Sequence, residues 1–203
     1  MYILIENDEM RGFVKEKEEE EEASKQYIEI NEKEFNESMS EQSQGLSLFY
    51  DKKTKKIDSI KLNQYETFNG TTISVDIVAL KNSILGVLSK LKIEYAQKEF
   101  LFQDKYWQKN RDVDKANLTS IVVMLNATKQ TEFKNWKFKD LNNIDVYVNI
   151  TIADMLNMAN TMQSQTTKAL ITESTLIAKL ETLSVEELKT FDAYKEFKNL
   201  WGK

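Results

Sequence analysis

Ser74-Val-Asp-Ile77-Val-Ala-Leu80-Lys-Asn-Ser-Ile84-Leu-Gly-Val87-Leu-Ser-Lys-Leu91 is the stretch in which the period of the apolar residues changes from two to about three and a half. Ile77, Leu80, Ile84, Val87 and Leu91 recur at alternating steps of three and four, and Val78, Leu85 and Leu88 widen the stripe. The pattern predicts an amphipathic helix of roughly six turns, running to about residue 97 with Ser74 as its N-cap. Over two heptads the same five positions, Ile77, Leu80, Ile84, Val87 and Leu91, match the a and d seam of a coiled coil. They are therefore a candidate oligomer seam and equally a candidate stripe for the core of a monomer. The helix parts a β-rich region from one rich in helices, so the expected fold class is α+β. Three parts are expected: a small β-rich N-terminal module over 1–65, a connecting amphipathic helix within 66–97, and an α+β C-terminal module over 98–203 that ends in helices.

Outward towards the N-terminus, the signals are those of short strands. Tyr2–Glu6 is a short apolar run, and Arg11–Val14 returns beside it across a turn from Asn7 to Met10. Lys15–Glu22 carries like charges with nothing to bury, which reads as a solvated loop or charged helix. Tyr27-Ile-Glu-Ile30 alternates as a strand, and Asn31 followed by Glu34 forms a capping box for a short helix to about Ser40. Gln44-Gly45 marks a break. Leu46–Tyr50 and Ile57–Leu62 are two further strands joined through the polar Asp51–Lys56.

Outward towards the C-terminus, Phe100-Leu-Phe102 and Tyr106-Trp107 flank Gln103-Asp-Lys105 as a hairpin, and Asp112–Asn126 reads as a helix. Trp136-Lys-Phe138 and Val146-Tyr-Val148 bracket Asp140–Asp145, whose Asn and Asp content belongs to a tight turn. Thr151 with Asp154 caps a long helix from Ile152 towards Leu180. Ser184 with Glu187 caps a closing helix that is expected to continue to Trp201, with Gly202 at its stop.

With this order of elements, Lys98–Leu183 resembles a domain of unknown function found near the C-terminus of many phage tail-fibre, receptor-binding and tail-associated proteins. The features that carry the resemblance are the aromatic hairpin Phe100–Tyr106, a helix containing Leu118 and Ile121, and Trp136 just before Asn142-Asn143. The strand Val146–Ile150 then leads through Thr151 into a long amphipathic helix. The opening residues are similar to the first modules of tail-fibre and tail-fibre assembly proteins: Tyr27–Ile30 runs into a short acidic helix holding Phe35, and Gly45 precedes a hairpin. The resemblance implies a structural or adaptor role without catalytic residues, other phage tail or fibre proteins as partners, and a homotrimer as the form often taken. It places the chain in a virion tail, or in the host cytoplasm during assembly. Its alternatives are a tail-fibre assembly chaperone and a carbohydrate-binding receptor module.

Composition narrows the chemistry independently. Across 203 residues there is no cysteine and no histidine, so disulfides, thiolate metal sites and the commonest general base are all excluded. No phosphate-binding glycine loop and no nucleophile elbow is present, and the chain is expected not to be an enzyme. The 33 acidic and 28 basic residues are mixed along most of the chain, which speaks against a nucleic-acid partner. No run approaches the length of a membrane span, and Met1–Ile5 meets Glu6 without a basic lead, so neither a membrane partner nor a secretory signal is expected.

Asp112-Val-Asp114 and the Asp140–Asp145 turn offer oxygen ligands, but the turn lacks the glycine and terminal Glu of a calcium loop. Both read as polar turn or helix cap, and no metal or cofactor is expected. Tyr106, Trp107, Trp136 and Tyr147 lie on segments that pair in one sheet. They form a candidate aromatic binding patch, set against the commoner use of such residues as core anchors.

Overall fold

The computed structural model describes residues 1–7, 9–17, 24–69 and 72–202. Among these, eleven strands and six helices form an α+β fold, with strands gathered towards the N-terminus and helices towards the C-terminus. The chain divides into two units, Met1–Leu80 and Lys81–Lys203, and the boundary falls inside a helix.

In the first unit, β1 (Tyr2–Glu6) lies between β2 (Glu9–Val14) and β3 (Lys25–Glu29), antiparallel to both. Alternation along β1 sends Ile3 and Ile5 into the core. Leu4 pairs with Gly12 and Ile5 with Met10, so Arg11 is an extra residue in a bulge. Residues 18–22 of the acidic run lie outside the described residues. Helix α1 (Glu32–Ser43) opens on the expected capping box: the Glu34 N–H donates to Asn31 Oδ1 at 2.9 Å, and the Glu34 carboxylate accepts from the Asn31 N–H at 3.0 Å. It runs a little past Ser40 and ends where Gly45 adopts φ +80. β4 (Ser47–Asp51) and β5 (Lys56–Ile60) form a hairpin. Its turn is tied by the Asp51 carboxylate, which accepts from the Lys53 N–H at 2.8 Å and the Thr54 hydroxyl at 2.9 Å and is thereby held below the usual aspartate range. Ile3, Ile5 and Ile30 are the buried centre, with Phe13, Phe35, Tyr50 and Ile57 packed against them.

The approach to the central helix differs from expectation. Residues 66–75 form another hairpin, β6 (Glu66–Phe68) with β7 (Ile73–Val75), in which Ser74 pairs with Thr67. Ser74 is thus extended and does not cap the helix. The Asp76 carboxylate takes that role, accepting from the Ala79 N–H at 2.9 Å, and α2 (Ile77–Ala96) starts after it. Phe49 meets Phe68 edge-on at 4.5 Å, which joins this hairpin to the preceding one.

In the second unit, β8 (Phe100–Phe102), β9 (Tyr106–Gln108), β10 (Glu132–Lys139) and β11 (Asp145–Thr151) form one antiparallel sheet of order β11-β10-β9-β8. Gln103 and Asp104 both take positive φ, and the Lys105 N–H donates to the Phe102 carbonyl, a turn whose twist suits a hairpin. α3 (Asp112–Thr128) and α4 (Ile152–Leu180) cover one face. The core there takes Phe100, Phe102, Trp136, Phe138 and Ile150 from the sheet, Leu118 and Leu125 from α3, and Met155, Met158 and Met162 from α4.

Lys92 pairs with Glu173 at 3.0 Å and Lys81 with Glu181 at 2.9 Å, so α2 runs antiparallel to the later part of α4. Tyr95 on α2 packs on Phe197 and Trp201 of the last helix. Of the five seam positions, Leu80, Ile84 and Leu91 are buried inside this chain, Val87 is half-buried and Ile77 is exposed. With the fully buried Leu88, the occupied stripe is Leu80, Ile84, Leu88 and Leu91, taken up by the chain's own packing.

The closing helix is broken into α5 (Val185–Lys189) and α6 (Ala193–Trp201). Asp192 stands between them and accepts from the Lys195 N–H at 3.0 Å, a second cap that competes with helix continuation. Among the described residues no helix is long and apolar enough to cross a membrane.

Candidate functional site

Strand alternation sorts the four predicted aromatic residues onto two faces of the second unit's sheet. Tyr106 points inward and stacks on Phe138 at 5.2 Å. Trp136 also points inward and is buried, its indole N–H donating to Gln108 Oε1 at 3.0 Å. Trp107 and Tyr147 point outward, 39% and 62% exposed. The four are therefore not one surface: two anchor the core and two flank the outer face. Lys137 and Lys139 stand between the outer pair, since Lys139 is opposite Trp107 and Lys137 is opposite Tyr147. Asp145 pairs with both lysines, at 2.7 Å and 3.3 Å.

The tip of the β10–β11 hairpin is pinned by its own hydrogen bonds. Asp140 Oδ1 accepts from the N–H groups of Asn142 and Ile144 at 2.9 Å and 2.8 Å, and Asn143 takes φ +63. This tip holds Leu141 and Ile144 out, 62% and 60% exposed. The carboxylates considered for calcium hold other partners: Asp140 the turn, Asp145 two lysines, Asp114 Arg111 and Asp112 Lys115.

Beside the sheet lies a groove of about 600 Å³ that was not anticipated from the sequence. One wall is the α3 face bearing Asp114, Asn117, Ser120 and Ile121, and the other is β10, which contributes Phe133 and every residue from Asn135 to Lys139. Consecutive residues of one strand line a cavity only where the strand presents its edge rather than a face. The reason is in the pairing: among the described residues β9 meets β10 at Lys139 opposite Trp107 alone, so from Phe138 back to Glu132 β10 has β11 on one side and no described strand on the other. A bulge between Phe133 and Trp136 turns this edge, with Asn135 at φ +58 and its N–H held by Asn149 Oδ1 at 3.2 Å.

The groove is cationic. Lys109, Arg111, Lys137 and Lys139 line it against two carboxylates, Asp114 and Asp145. Arg111 grips Asp114 through Nε and Nη2 at 2.8 Å and 2.9 Å; this pairing holds the Asp114 carboxyl below its usual range and raises the guanidinium. Lys137, then Lys139, hold the Asp145 carboxyl down in the same way, and Asp145 raises the Lys137 amine. Both acids are moved away from neutrality, the opposite of what proton transfer near pH 7 uses. The Lys109 charge adds to that of Arg111 in lowering the Asp114 carboxyl. The site offers charge, an aromatic surface and unpaired strand backbone, which are the means of binding a polymer chain. No family model, no curated protein and no solved structure matches this chain.

Proposed function

We propose that the chain is a structural or adaptor component of the tail or tail fibre of a bacteriophage or phage-derived particle, and that it works by binding other protein chains rather than by catalysis. The observation that carries the binding role is the outer side of the second unit's sheet. There Leu141, Ile144 and Tyr147 stand on one hairpin, each about 60% exposed, with Trp107 on the neighbouring strand. Large apolar and aromatic side chains held out together by a pinned turn, with lysines and an aspartate among them, have the make-up of an interface core with a polar rim. Asp145, the acid on this face, sits below its usual range, which supports binding over proton transfer. The phage setting is supported by the order of elements from the aromatic hairpin through Trp136 to the capped α4.

An antibody against the chain, applied to purified particles and to the particle-free lysate of the producing culture, tests this reading. Signal in the particles supports a structural part. Signal in the lysate alone moves the protein to the assembly-chaperone role, and signal in neither overturns the phage setting. Light scattering on a sizing column gives the oligomeric state in the same preparation: a concentration-independent trimer of the 23.7 kDa chain is the form expected of a fibre part.

A further inference from the structure

We propose that the groove between β10 and α3 takes an extended acidic segment of a partner protein, added as a further strand on the free edge of β10. The inference rests on the protein-binding reading above and names the place and chemistry of the contact. Three observations converge on it. The β10 edge from Glu132 to Phe138 has no strand beside it among the described residues, so its backbone groups on that side are open to an incoming chain. α3 flanks that edge with Asn117 and Ser120, short exposed polar side chains that leave room, and Ile121, an apolar floor for an alternate residue of the segment. Four cations against two carboxylates leave the groove net positive, with Lys109 and Arg111 both acting on Asp114 and Lys137 and Lys139 sharing Asp145. A glutamate- or aspartate-bearing strand is the complement of that charge, and its alternate side chains can face Ile121 and Phe133.

The test uses the full chain and a fluorescein-labelled peptide of alternating valine and glutamate, about seven residues long to match the open edge. Fluorescence anisotropy compares it with the same peptide N-methylated at alternate amides and with a valine–lysine counterpart. Strand addition draws affinity from the main chain, so the methylated peptide is expected to bind about tenfold weaker or less, and the lysine peptide weaker still. Ser120→Trp, which fills the groove from an exposed helix position, and the Lys109→Glu/Lys139→Glu pair are each expected to lower affinity about tenfold while the circular-dichroism melt stays in place. Equal binding of methylated and unmethylated peptides shows charge attraction without a strand and overturns the proposal. So does the absence of binding at about 1 mM. Peptide binding that appears only when Glu18–Glu22 is replaced by serines in the protein shows that the acidic run of a second copy is the occupant, and also overturns it. The particle assay above reads independently: the chain in particles with no peptide binding removes the groove's role alone, and peptide binding without particles removes the phage setting alone.

Discussion

Among the described residues of the first unit, seven strands are spread over three separate sheets and the buried centre is Ile3, Ile5 and Ile30. In the second, four strands make one sheet, and ten buried residues from β8, β10, β11, α3 and α4 form the core against it, with Ile84, Leu88, Leu91, Leu176 and Phe197 buried in addition. A two-stranded hairpin is marginal in water by itself. The first unit therefore depends on a few contacts between its sheets and helix, such as Phe49 against Phe68 between hairpins and Phe13 against Phe35 of α1. The second has core enough to hold a groove open beside it. A strand edge left bare beside a helix costs stability, and the unit with the larger apolar core is the one that carries it.

The widest separation between the units is expected from Phe138→Ala. Phe138 is 2% exposed and stacks with both Phe102 and Tyr106, so its loss costs about 3–5 kcal/mol in the second unit. Hydrogen exchange read by mass spectrometry should show protection falling across β8–β11 while β1–β5 is unchanged; an equal fall in both breaks the distinction. Trp136→Phe keeps an aromatic ring but leaves Gln108 Oε1 without its donor in a buried site, at about 1–3 kcal/mol beyond the smaller ring's lost packing, measured by urea unfolding. The capping boxes allow a matched pair, one per unit: Asn31→Ala and Thr151→Ala each remove a side-chain acceptor for about 1 kcal/mol. The same loss is expected to shift the melting of the smaller first unit further, because its unfolding entropy is smaller.

The smallest effect is on pH. Asp114, Asp145 and Glu187 have folded values below their unfolded ones, so what they contribute is present above ordinary values of 3.8 and 4.5 and is lost as pH falls through the folded values. Lys137 is raised, so its share is whole below 10.5 and is lost as pH rises through the folded value. Three of these four groups belong to the second unit's groove, and Asp145→Asn should flatten both limbs of a melting-temperature profile.

Much of this architecture is legible in the chain, and the failures have local causes. Thr151 with Asp154 starts α4 where the pattern places it, because a capping box is written in four consecutive residues. The start of α2 misleads because Ser74 and Asp76 are both capping residues. Only the pairing of Ser74 with Thr67 decides between them, and the Asn69-Gly70 dipeptide between Tyr65–Phe68 and Thr71–Val75 was the available sign of that hairpin. The stripe from Ile77 to Leu91 reports a buried face without saying whose core buries it.

Adjacent Tyr106 and Trp107 must face opposite ways in a strand, so half of the aromatic patch could have been sorted by period alone. The groove was beyond reach. It exists because β9 meets β10 at one rung and because Asn135 opens a bulge, and both depend on pairing between residues far apart in sequence.

The packing of α4 has a chemical consequence. Met155, Met158 and Met162 put three thioethers at the centre of the second unit's core, at 0%, 0% and 2% exposure, while Met1, Met39 and Met124 stand 38%, 41% and 42% exposed. Peroxide therefore meets these two sets differently. The exposed three oxidise from the folded state, whereas each of the three on α4 must wait for the sheet and helix to part, and the sulfoxide then formed is too polar to pack again. Their slow oxidation is a clock for opening of that core, written into the chain without any added label.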